Sequence, residues 1–116
     1  MVCIEAGWTV AEPTARAEVA RDGDTATIAV HGEIDVSSAH VVGAAVEEAR
    51  ATGCRTLVVD LAGVSFMDLS GLRTLHGAAV DGLPVVLRNP SRLVRRVVDL
   101  AGMADVLPIE DDSEVG

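Results

Sequence analysis

Lysine and tyrosine are missing from the sequence, and aromatic residues make up 2% of it: one tryptophan and one phenylalanine. A core without aromatic bulk must be built from Val, Leu, Ile and Ala. With hydrophobic residues at 49% of 116, there is enough for one domain and too little for two. Branched aliphatics favour strands, and Ala-rich runs favour helices that cover them, so the expected class is α/β.

Positive charge is equally scarce, with 9 arginines against 18 acidic residues and a net charge of -9. The one concentration of it, Arg88, Arg92, Arg95 and Arg96, is modest, so neither nucleic acid nor an anionic membrane surface is an expected partner. No apolar run approaches the length of a bilayer span, and membrane insertion is not expected. Cys3 and Cys54 are far apart and share no metal-ligand spacing with each other or with the histidines, which reads as two free thiols of an intracellular protein. No basic segment followed by an apolar stretch marks the N-terminus for export, and the cytoplasm is the expected location. GxGxxG, a lysine-ending P-loop, CxxC and HExxH are absent as well, so no cofactor and no metal is expected.

What is present is organised around residues 56–80. Leu57-Val58-Val59 is an apolar run that reads as the central strand, Thr56 to Leu61, and is too apolar on both faces to lack neighbours. A turn over Phe66-Met67-Asp68-Leu69-Ser70-Gly71 leads into a helix from Ser70 to about Val80. Upstream, Ala15 to Ala20 and Thr25 to His31 flank Asp22-Gly23, a hairpin signal. A helix over Ala39 to Ala51 has Ser37 or Ser38 as N-cap and ends at Gly53. Downstream come a strand from Leu83 to Leu87, a helix capped by Ser91 with Leu93, Val94, Val97 and Val98 facing inward, and a last strand, Val106 to Ile109.

The expected architecture is a mixed sheet of about five strands with its helices mainly on one side. Residues 1 to 14 read as a loose leader in which Trp8 folds back over an edge, 15 to 110 as the domain, and 111 to 116 as a disordered acidic tail.

Chemistry-bearing residues are few. Ser70 and His76 are six positions apart, about 600° of helical rotation and roughly 9 Å of rise, so they cannot form a nucleophile and base pair. No catalytic residue is assigned to His31, His40 or His76. Asp35 and Asp68 are placed at the carboxyl ends of neighbouring strands, where sites on open sheets form, but two carboxylates alone do not define a reaction. At the Asp68 junction either Asp68 or Ser70 caps the helix, and the free N–H groups there tolerate negative charge, including that of a phosphoserine.

In order, Gly32-Glu33-Ile34-Asp35, Ser38-Ala39, Leu57-Val58-Val59-Asp60-Leu61, Val64 to Leu72, Asn89-Pro90-Ser91 and Leu100-Ala101-Gly102-Met103 resemble the STAS domain of bacterial anti-sigma factor antagonists. The resemblance implies a non-enzymatic, protein-binding regulator, a monomer or weak homodimer. Its partner would be an anti-sigma factor with a histidine-kinase-like ATPase domain that acts as a serine kinase. Members of that family carry Asp-Ser-Ser-Gly or Asp-Ser-Thr-Gly at the second helix, and phosphate on the residue after the aspartate switches binding off. Here that residue is Leu69, which has no oxygen to accept phosphate, and Ser70 is the alternative phosphoacceptor. The resemblance assigns partner binding to Asp35, Asp68, Leu69, Ser70 and Arg73. Leu69 is expected either as an exposed apolar anchor or packed inward against the first helix. Two other readings stand: a STAS scaffold subunit of a signalling or lipid-transport complex, and a small enzyme using a pocket between Asp35 and Asp68.

Overall fold

The computed structural model describes residues 2–4, 7–12 and 14–110. Asp22 and Thr25 close the hairpin between β3 (Ala15–Asp22) and β4 (Thr25–Ile34), and Gly23, at φ +64, supplies the left-handed turn that Asp-Gly announces. α1 (Ala39–Ala51) then crosses to β5 (Thr56–Met67), α2 (Leu69–Val80) to β6 (Val85–Arg88), and α3 (Arg92–Leu100) to β7 (Ile109–Glu110). Each helical crossover returns the chain in the same direction, so β4, β5, β6 and β7 pair in parallel. The three helices cover one face of the sheet.

The five strands expected from Ala15 onward are present, and two more extend the sheet beside β3. They are β1 (Val2–Ile4) and β2 (Gly7–Glu12), within the stretch expected as a loose leader. β2 is antiparallel to β3 with Trp8 opposite Val19, so backbone pairing covers the β3 edge where one folded-back side chain was expected. The pairing supplies the order that an aperiodic sequence did not announce. The tail expected over 111 to 116 lies outside the described residues.

The core is aliphatic throughout. Ala26, Ile28 and Val30 of β4 alternate inward, Leu57, Val59 and Leu61 of β5 meet them, and Val41, Val42, Ala45, Val46 and Ala49 of α1 close over both. On the other face of the central strand Val58 is still only 7% exposed, as expected of a strand with neighbours on each side.

Three boundaries differ from expectation. β5 runs to Met67, so Phe66 and Met67 belong to the strand and not to the turn. The last strand is the two residues Ile109–Glu110, because Val106 and Leu107 donate to the Met103 carbonyl and turn instead. Leu93 of α3, expected inward, is 53% exposed; Val94 and Val98 alone fill the buried stripe of that short helix.

β4 and β5 do not pair evenly. Ala29 faces Asp60 and His31 faces Gly63, then Gly32 faces Val64 and Glu33 faces Phe66, so β5 carries an extra residue in each interval. Gly32 is required at this irregularity. Its φ is +98, and a Cβ there would collide with the Thr14 carbonyl oxygen, the same oxygen that accepts the Glu33 N–H at 2.9 Å.

Candidate functional site

β4 and β5 end side by side. Ile34 pairs with Met67, both buried, and each strand passes directly into an aspartate. The Asp68 N–H donates to the Ile34 carbonyl at 3.0 Å, which ties the two strand ends together and sets Asp35 and Asp68 at the same end of the sheet, as expected.

The two junctions share a chemical plan. Asp35-Val36-Ser37 and Asp68-Leu69-Ser70 are both aspartate, aliphatic, serine. Asp35 Oδ1 accepts the Ser37 N–H at 2.9 Å, the Ser37 hydroxyl at 2.7 Å and the Ser38 N–H at 3.2 Å. Asp68 Oδ1 accepts the Ser70 N–H at 2.9 Å and the Ser70 hydroxyl. The Asp68 carboxylate thus satisfies an N–H group that a helix start leaves without an intrahelical partner, the Asp35 carboxylate satisfies those of the turn that leads into α1, and negative charge is favoured at both helix starts. The Ser37 hydroxyl and then the Ser37 N–H, with lesser help from the Ser38 hydroxyl and N–H, hold the Asp35 carboxyl below its ordinary value of 3.8 against the opposing effect of burial.

Capping at α1 differs from expectation. Ser38 is the residue before the helix, but its side chain makes no cap bond. It is 1% exposed, accepts the Asp35 N–H at 3.0 Å and donates to the Glu33 carbonyl at 2.8 Å, pinning the loop from within while the Asp35 carboxylate holds the turn ahead of the helix. At α2 the cap is Asp68, which leaves Ser70 as donor to that carboxylate.

The fourth position separates the junctions further. Gly71 is buried, and a Cβ on it would stand 2.7 Å from Ile34 Cγ2 and 3.1 Å from Met67 Cγ. The helix propensity lost at glycine is offset by close seating of α2 on the strand ends, a close approach made by this chain's own side chains. Leu69 is accordingly half-buried and packed against the core, between the two placements expected for it. Asp68 and Ser70 are half-buried beside it, and Arg73, one turn on, is exposed.

Two apolar residues at this end were missed by sequence reasoning. Val36 is 81% exposed at the tip of the first junction, and Phe66 is 42% exposed one residue before Met67. The extra residue in β5 between Val64 and Phe66 breaks the alternation that would otherwise fix the outward face. Ser65 lies in that interval, and its hydroxyl donates to the Gly32 carbonyl at 3.3 Å. A phenylalanine in a chain with no other was the available signal.

As acid or base the pair is poorly arranged. Both Oδ1 atoms are engaged by backbone N–H and serine hydroxyl groups, and a lowered Asp35 is a weaker base. Among the described residues no group of three His, Cys, Asp or Glu side chains is placed to hold a metal ion. Among them, too, no helix is long and apolar enough to cross a membrane.

Residues 17–108 match the family model described as Mlab, STAS domain. The chain belongs to the STAS domain family. No curated protein matches this STAS domain. Among solved structures, an anti-sigma factor antagonist from Mycobacterium paratuberculosis is 24% identical over 85% of this chain and 87% of that one, with a TM-score of 0.75. The anti-sigma factor antagonist SpoIIAA in its unphosphorylated form is 27% identical over 84% and 89%, with a TM-score of 0.67. The Bacillus cell fate determinant SpoIIAA in the phosphorylated form is 26% identical over 84% and 92%, with a TM-score of 0.62. This STAS domain is thus related to anti-sigma factor antagonists, and the kinship supports a regulatory, protein-binding role.

Proposed function

We propose that the protein is an anti-sigma factor antagonist that acts in the cytoplasm without catalysis, binding an anti-sigma factor with a histidine-kinase-like ATPase domain and thereby releasing a sigma factor. The docking face is the sheet end that carries Asp35, Asp68, Leu69, Ser70 and Arg73, enlarged by Val36 and Phe66. The observation that carries this reading is the composition of that end: exposed or half-exposed apolar side chains among hydrogen-bonded carboxylates, with no covering element among the described residues.

The usual phosphorylation switch is lost in this reading. A leucine follows the aspartate, and the neighbouring Ser70 hydroxyl is half-buried and donates its proton to Asp68. Phosphate on Ser70 would place roughly two negative charges against that carboxylate. Binding is then governed by abundance.

The test uses the cognate anti-sigma factor with ATP. The native protein should bind it and take up no phosphate, whereas Leu69→Ser should become phosphorylated and release it, with or without Ser70→Ala. Phosphate on the native chain that Ser70→Ala abolishes would overturn the loss of the switch, and failure of the native protein to bind would overturn the antagonist reading. A second reading, a STAS scaffold subunit of a signalling or lipid-transport complex, is favoured by one observation: the matching family model carries the description Mlab and not one of sigma regulation. Co-purification with transporter components that Val36→Asp disrupts would select it.

A further inference from the structure

The four arginines concentrated between residues 88 and 96 are divided by the fold. Arg88, on β6, pairs with Glu110 of β7 at 3.1 Å, so its charge is engaged across the sheet. Arg95 is half-buried. Arg92 and Arg96 are exposed on α3, and among the described residues neither forms an ion pair. Beside them Leu93 is 53% and Leu100 78% exposed. At 100° per residue, Leu93, Arg96 and Leu100 fall within about 60° of arc, roughly opposite the buried Val94 and Val98. α3 therefore satisfies the core with one stripe and turns a second, leucine-bearing stripe with a cationic rail outward.

We propose that this outward face of α3 docks an acidic amphipathic helix of a protein partner, its apolar stripe meeting Leu93 and Leu100 and its carboxylates meeting Arg92 and Arg96. Charge complementarity selects that occupant. Among the described residues the face holds two arginines without ion-pair partners and a single acid, Asp99, in a chain whose net charge is -9. A second copy fits badly, because an antiparallel pairing that matches Leu93 with Leu100 sets the two Arg96 side chains astride the two-fold axis. An anionic bilayer would attract this rail but repel the remainder of the molecule. The surface is distinct from the two aspartate junctions and does not rest on the function proposed for them.

The test is titration of the isotope-labelled full-length protein with two helical peptides of equal length, each with a leucine stripe, one flanked by glutamates and the other by lysines. The glutamate peptide should shift the amide signals of residues 92–100 and bind more weakly as salt is raised, and the lysine peptide should bind at least about tenfold more weakly. Arg92→Glu with Arg96→Glu should lower affinity for the glutamate peptide by about tenfold, Leu93→Ser with Leu100→Ser should lower it further, and Leu69→Asp should leave it unchanged. Equal affinity for both peptides, no binding of the glutamate peptide, shifts confined to the aspartate junctions, or stronger binding to phosphatidylglycerol vesicles than to the glutamate peptide would each overturn it.

Discussion

Asp35-Val36-Ser37-Ser38 and Asp68-Leu69-Ser70-Gly71 begin with the same chemistry and finish in different environments. In both, a carboxylate at a strand end accepts the N–H and hydroxyl of the serine two residues on. Yet Val36 projects into solvent while Leu69 settles against the core. The difference lies in the fourth residue and what it meets. Gly71 lets α2 lie on Ile34 and Met67 and draws Leu69 down with it, whereas the Ser38 hydroxyl fills the equivalent place and holds the α1 loop by bonds to the backbone of Glu33 and Asp35. A local hydrogen-bond motif sets how a helix begins; tertiary packing decides whether its first apolar residue faces a partner or the core.

The contrast is broken most severely by making the second junction resemble the first. Gly71→Ser places a Cβ 2.7 Å from a methyl of a buried, branched side chain. Urea denaturation should show a loss of about 2–3 kcal/mol, with α2 lifted and Leu69 more exposed. Next in size, Ser38→Ala removes a buried hydroxyl and leaves the Asp35 N–H and Glu33 carbonyl without it, for an expected loss of about 1–2 kcal/mol by the same measurement. Leu69→Asp should cost about 1 kcal/mol, since only part of the side chain is buried, and should also weaken partner binding. Val36→Asp should change stability by less than about 0.5 kcal/mol while weakening the same partner, which separates docking from folding at the more exposed site.

Acid sharpens the comparison in a different way. The folded Asp35 carboxyl titrates below its ordinary value of 3.8, so the stabilisation it confers is fully present above that value and is lost as pH falls through the lower, folded one. Asp35→Asn should remove that part of the acid dependence in a pH series of thermal unfolding, with the remainder unchanged.

Much of this was legible in the sequence. The Asp-Gly hairpin, the α1 boundaries, the Ser91 cap, whose Oγ accepts the Val94 N–H at 3.1 Å, and the placing of Asp35 and Asp68 at adjacent strand ends all follow from short-range periodicity and turn chemistry. Trp8 shows where that reasoning stops. Its segment has no period of its own and becomes a strand by pairing with β3. Phe66 escaped notice because extra residues in β5 move the outward face out of step with the alternation that precedes it. Leu93 was expected inward because four apolar residues at helical spacing look alike in sequence, although a helix this short buries only two of them fully.

By itself the sequence determined the order of elements from Ala15 onward, the aliphatic make-up of the core and the aspartates that start α2 and hold the turn into α1, since each depends on residues within a few positions of one another. Only the tertiary structure decided that Gly71 serves the chain's own packing, that Val36 and Phe66 are presented while Leu69 is half withdrawn, and that Arg88 is engaged by Glu110 while Arg92 and Arg96 form no ion pair among the described residues. Those outcomes turn on which distant residues arrive alongside, and burial and pairing are properties of that meeting, not of the local run.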